Sequence, residues 1–190
     1  MNKNDLRFQK TEIAIKQAYL SLKKHGSTAV KVKDLCDAAM INKTTFYAHY
    51  ETMEYLHKAV CEEFVTKILT QNHFIDKIQS ETRTFVYSIL NDFVEEMDTV
   101  EKLYGDDMHA LVNDLETILM ERFLQNSADE DYVLAVRFCI GGAFRLLALE
   151  KDPRRIQKTV ELIERVLNLW SHSLGTAYFF STKGSPYEKL

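Results

Sequence analysis

Cysteine is scarce in these 190 residues, with three in all, at Cys36, Cys61 and Cys139. An odd number, widely spaced and with no CxxC pair, excludes a disulfide framework and a thiolate zinc site. The three are expected to be small apolar fillers in a reducing compartment, the cytoplasm. Proline is scarcer still, at positions 153 and 186 only, and there are six glycines. Helices are therefore seldom interrupted. No apolar run suffices to cross a membrane, because the richest, 133–149, is cut by Arg137 and Arg145. The N-terminus is polar and lacks the apolar stretch of a secretory signal. The HExxH, GxSxG, Walker and GxGxxG patterns are all missing, and the six histidines are scattered. No enzyme, no metal and no cofactor is expected.

What is present is apolar content of 46%, ample for a packed interior. Net charge is −4, which alone argues against a nucleic-acid partner. Its distribution argues the other way. Residues 1–50 hold nine Lys+Arg and four Asp+Glu, a balance of +5, whereas residues 51–190 hold fifteen and twenty-four, a balance of −9. A basic head on an acidic body suits a nucleic-acid-reading module carried by a separate regulatory domain.

Helical periodicity runs through the chain. A first helix is expected over Arg7–His25, with Ile15, Ala18, Tyr19 and Leu22 on one face and Gly26 as its stop. A helix from Thr52, its N-cap, to Gln71 carries a stripe of Leu56, Val60, Phe64 and Ile68. Past the polar run 72–80, a helix extends to Met97 with Phe85 and Phe93 on its broad apolar face. Gly105 breaks the chain, and the next helix, Asp107–Gln125, turns Met108, Leu111, Leu115, Ile118, Leu119 and Phe123 inward.

A helix over Glu130–Lys151 places Ala135, Phe138, Cys139, Gly142, Leu146 and Leu149 on one face. Gly141 and Gly142 remove bulk at its middle at about 1 kcal/mol each relative to alanine, and the expected compensation is close approach of another helix, ahead of close approach of a ligand. After Pro153, the residues Ile156, Val160, Ile163, Leu167, Trp170 and Leu174 recur at spacings of four and three, a heptad-like seam. Leu162, Val166 and Leu169 form a second apolar line beside it. A helix with two apolar faces serves two layers, here its own core and a second subunit.

The stretch Val32–Tyr50, VKDLCDAAMINKTTFYAHY, carries the most information. Val32, Leu35, Ala38 and Ala39 give a short helix one apolar face, Met40 and Ile41 make a turn, and Asn42 is a good N-cap for a second short helix. That second helix buries Phe46 and Tyr50. Lys43, Thr44, Thr45, Tyr47 and His49 are left for another surface, where each can reach phosphates or base edges. Lys31 and Lys33 flank the start of the first helix, where backbone N–H groups favour a phosphate. This is the pattern of a helix-turn-helix with a recognition helix.

Residues 10–64 resemble the N-terminal domain of the TetR/AcrR family of transcriptional regulators. The matching features are the first helix ending at Gly26, VKDLCDAA, INKTTFYAHY and the MEYLHKAV helix start, with TFYxHY (Thr45–Tyr50) the most specific. They span about a third of the chain. The resemblance implies an all-α protein with a three-helix helix-turn-helix DNA-binding domain over 1–51 and a helical ligand-binding and dimerisation domain over 52–190. It implies a homodimeric, sequence-specific regulator. The expected mode is a repressor released from a near-palindromic double-stranded operator by a small apolar or aromatic ligand.

DNA contacts are then expected from Lys31, Lys33, Asn42, Lys43, Thr44, Thr45, Tyr47 and His49. Phe85, Phe93, Met97, Met108, Phe123 and Phe138 are the aromatic and sulfur side chains from which a pocket can be built. The dimer seam expected from the last two helices is Gly142, Leu146, Ile163, Leu167, Trp170 and Leu174. The chain departs from the family pattern at four places. Met40 stands where glycine is common, Lys31 where a capping threonine is common, and Glu51 and Met53 where lysines often face the DNA backbone. The last two predict weaker or more salt-sensitive phosphate contact. The alternative reading is a helical adaptor or co-regulator whose C-terminal domain binds a protein partner.

Overall fold

The computed structural model describes residues 6–23, 29–71, 82–122, 130–149 and part of 154–166. Every regular element among the described residues is an α-helix, as expected of an all-α chain. In order they are α1 (Leu6–Leu22), α2 (Val32–Ala38), α3 (Lys43–His49), α4 (Met53–Gln71), α5 (Thr82–Glu95), α6 (Met97–Tyr104), α7 (Met108–Arg122) and α8 (Glu130–Leu149). Residues 154, 157–159, 161–163, 165 and 166 are helical as well. Among the described residues, no helix is long and apolar enough to cross a membrane. The chain divides into two compact units, one of Met1–Gln71 with Asn91–Ile118, the other of Asn72–Leu90 with Leu119–Leu190.

The first unit begins with α1, which buries Phe8, Ile15, Ala18 and Tyr19 and packs against α2 and α6. It ends at Leu22, three residues before the expected end, and Gly26 lies outside the described residues. α2 buries Leu35 and Cys36. Its end is a Schellman motif: the Ile41 N–H donates to Cys36 O at 2.9 Å and the Met40 N–H to Asp37 O at 3.3 Å. That pair of bonds requires the residue after the cap to be left-handed. Met40 accordingly has φ +54°, the one non-glycine among the described residues with positive φ.

α4 starts where Thr52 Oγ1 accepts the Tyr55 N–H at 3.3 Å. It buries Leu56, Val60, Cys61, Phe64, Val65, Ile68 and Leu69. One element departs from expectation. The helix expected to run through Met97 stops at Glu95, and after a one-residue turn at Glu96 a new helix, α6, buries Val100, Leu103 and Tyr104. Gly105 then turns the chain at φ +58°, and Asp107 Oδ1 caps α7 by accepting the Ala110 N–H at 3.1 Å.

In the second unit, α8 buries Val136, Cys139 and Ala143. Burial pushes the Cys139 thiol up to about 11, which keeps it an unreactive filler. Of the residues expected on one apolar face, Cys139 is buried, whereas Phe138 and Gly142 are exposed. Leu134, Phe138, Gly141, Gly142 and Arg145 lie exposed on the opposite side. Thr159 and Ile163 are buried, whereas Leu162 is half exposed.

Candidate nucleic-acid interface

α3 is held by what it buries. Phe46 is wholly buried, with Tyr47 set edge-on to it at 5.2 Å between ring centroids and Tyr50 tilted beside it at 6.3 Å. The Tyr50 hydroxyl donates to Glu12 of α1 at 3.1 Å. Lys16 then bridges Glu12 at 3.2 Å and Glu63 of α4 at 2.6 Å. One polar chain thus ties the end of α3 to α1 and α4. Burial alone would lift the Glu12 carboxyl, but Lys16 and the Tyr50 hydroxyl outweigh it and hold the group below the ordinary carboxylate range. Burial, with Glu12 adding to it, pushes the Tyr50 phenol well above its usual value.

At the other end, Asn42 Oδ1 accepts both the Thr45 N–H at 2.8 Å and the Thr45 hydroxyl at 3.0 Å. The N-cap expected of Asn42 is therefore made. It occupies the Asn42 acceptor and the Thr45 hydroxyl proton, so the polar groups these two can offer another molecule are the Asn42 NH2 and the Thr45 hydroxyl oxygen as an acceptor. Lys43, Thr44 and Tyr47 are exposed, Tyr47 by 54%. Tyr47, three positions after Thr44 and four after Lys43, neighbours both on the helix surface. Lys31 and Lys33 are exposed at the start of α2. Lys31 is extended and gives α2 no side-chain cap. Glu51 is exposed just beyond α3.

His49 departs from the expected surface. Its ring lies flat on Phe8 of α1, with centroids 3.8 Å apart and planes 21° apart. The buried Nδ1 has no hydrogen-bond partner. Desolvation lowers its pKa, and the Glu12 charge offsets this only in part. The sequence offered no signal for this stack, because Phe8 lies 41 positions away.

Four of the six residues expected to build a pocket have described side chains. Phe93 is buried edge-on to Phe64 at 6.1 Å, as core. Met97 and Met108 are half-buried, and Phe138 is 70% exposed. Phe123 and the side chain of Phe85 lie outside the described residues. A cavity of about 300 Å³ is lined by His57, Lys58 and Cys61 of α4, Leu103 and Tyr104 of α6, and Asp107, Ala110 and Asp114 at α7. Of the expected dimer seam, Gly142 is exposed and Ile163 buried, while Leu167, Trp170, Leu174 and the side chain of Leu146 lie outside the described residues. Nothing comes within 4 Å of a Cβ placed at Gly141 or Gly142, so the close helix approach expected of them is not made among the described residues.

Among the described residues, no group of three or more His, Cys, Asp or Glu is placed to hold a metal ion. Comparison with models of known protein families, with curated proteins and with solved structures found no match.

Proposed function

We propose that this chain is a sequence-specific DNA-binding transcriptional regulator, acting as a homodimeric repressor that a small molecule releases from its operator. One observation carries the reading. A seven-residue helix, capped by Asn42 and anchored by a wholly buried Phe46, leaves Lys43, Thr44 and Tyr47 exposed side by side. Lysine supplies charge to phosphates, threonine offers a hydroxyl and a methyl, and tyrosine donates to or accepts from base edges. α2 and α3 join through a turn of four residues, 39–42, a length that suits a motif whose second helix enters a major groove.

The open face of α8 supports the dimer. Leu134, Phe138 and the two glycines offer an apolar, low-relief strip on which the same strip of a second copy can lie. Two recognition helices then meet half-sites about 34–36 Å apart. The ligand acts by binding the DNA-free arrangement more tightly than the DNA-bound one.

The test is selection of bound sequences from random duplexes, followed by affinity measurements at two salt concentrations. Affinity that falls steeply with salt and is lost in Lys43→Ala with Tyr47→Ala supports the reading. Binding unchanged in that double variant rejects α3 as the recognition helix. The second reading, a helical adaptor that binds a protein, is favoured by the exposed Glu51 beside α3, which would repel phosphates. It predicts no selected duplex at any salt concentration.

A further inference from the structure

The cavity between α4, α6 and α7 lies wholly within the first unit, as does α1. Its floor is apolar or neutral: Cys61, Leu103 and Tyr104 are buried there. Its charged lining is uneven, with two carboxylates, Asp107 and Asp114, against one ammonium, Lys58. Asp114 is held in place, since one of its oxygens accepts the Tyr104 hydroxyl at 3.0 Å. The Cys61 thiol is no nucleophile, because burial pushes it up to about 11.

The same cavity is wired to α1. His57 lines it, and the His57 Nδ1 is 3.0 Å from the Tyr19 hydroxyl of α1. The Cys61 sulfur lies 3.6 Å from the other ring nitrogen of His57. A molecule seated on this lining therefore meets the imidazole whose partner belongs to the helix packed against α2.

We propose that this cavity binds a small organic cation, a primary ammonium or guanidinium with a short apolar body, and that occupancy is transmitted to α1 through His57 and Tyr19. The head group pairs with Asp114, and the body lies on Leu103, Ala110 and Tyr104. The volume of about 300 Å³ is at the small end for ligand pockets, which limits the guest to a compact one. The inference rests on the regulator reading only for its consequence on DNA, since the binding itself can be measured without DNA.

The experiment is calorimetric titration of the full chain with phenethylamine, and with phenylpropionate as a near-isosteric anion. It is paired with NMR of the histidine ring protons. The expected result is binding of the amine and not of the acid, weakened at least tenfold by Asp114→Asn. Ala110→Phe, which fills the cavity and leaves the carboxylates in place, should also abolish it. The His57 ring signals should shift on saturation in the wild type, and that shift should shrink in Tyr19→Phe. Equal binding of amine and acid, no binding, or amine affinity unchanged in both variants overturns the site. Amine binding with unmoved His57 signals overturns the link to α1. Absence of DNA binding in the separate selection experiment rejects the regulator reading and leaves these outcomes interpretable.

Discussion

Replacing Met40 by glycine should stabilise the protein, although glycine at an exposed position ordinarily does the reverse. The backbone at Met40 is left-handed, φ +54°, because the Schellman bonds at the end of α2 demand it. An L-residue with a Cβ there is disfavoured by about 1–2 kcal/mol. The side chain is 93% exposed, so its removal forfeits almost no packing. Against the relief stands the larger unfolded-state entropy of glycine, about 0.5–1 kcal/mol. The net is a gain of about 0–1.5 kcal/mol, or up to about 6 °C in Tm for a chain of this size. Urea unfolding followed by far-UV circular dichroism measures it, with the denaturant slope held as a check. Met40→Ala is the control: it keeps the Cβ and the strain, and should stay within about 0.5 kcal/mol of wild type. A midpoint that falls in Met40→Gly, or rises equally in both variants, refutes the argument from backbone strain.

Asn42→Ala removes the acceptor that caps α3 and should cost about 1 kcal/mol, seen as faster amide exchange across Lys43–His49. Asn42→Asp should retain most of that stability. His49 and His57 both have pKa values lowered by burial from 6.5, so the unfolded state binds more protons just below that pH. Their contribution is complete above pH 6.5 and is lost as pH falls from there through the lowered folded values. Charged groups around them moderate the effect, Glu12 and Asp114 raising their respective partner and Lys23 lowering His57 further. His49→Phe keeps a ring against Phe8 and should flatten the fall in urea midpoint over that range; an unchanged slope would locate the titration elsewhere. Phe138→Glu on the open face of α8 should convert a dimer to a monomer in sedimentation equilibrium, and a dimer that persists at the same affinity removes that face from the interface.

What the sequence made legible was local. The Asn42 cap, the Thr52 cap, the Phe46 anchor and the end of α2 at Met40 all depend on residues within five positions of one another. Periodicity located the helices because each burial stripe repeats within one element. Misreadings came where two phases were nearly equal. Around Leu134–Phe144 almost every residue is apolar or glycine, so a stripe through Phe138 and Gly142 fits as well as one through Val136, Cys139 and Ala143, and only the rest of the fold chooses. The break between α5 and α6 carries no glycine or proline, and so gave no mark in the text of the chain. The stack of His49 on Phe8 and the links from Glu12 to Tyr50 and from Lys16 to Glu63 span 38 to 47 positions, which no local pattern encodes.

Gly141 and Gly142 set two properties of the molecule against each other. A methyl group at either position meets nothing within 4 Å, so alanine would firm α8 by about 1 kcal/mol per site without a clash. A laboratory search for heat-resistant variants of the lone chain should therefore find these two positions early. If a second copy rests on that face, the same variants hold it off by the width of two methyl groups, and the search trades assembly for endurance. Helix weakness at the middle of α8 would then be a condition of pairing, and the most heat-resistant chain would be the one least able to find its partner.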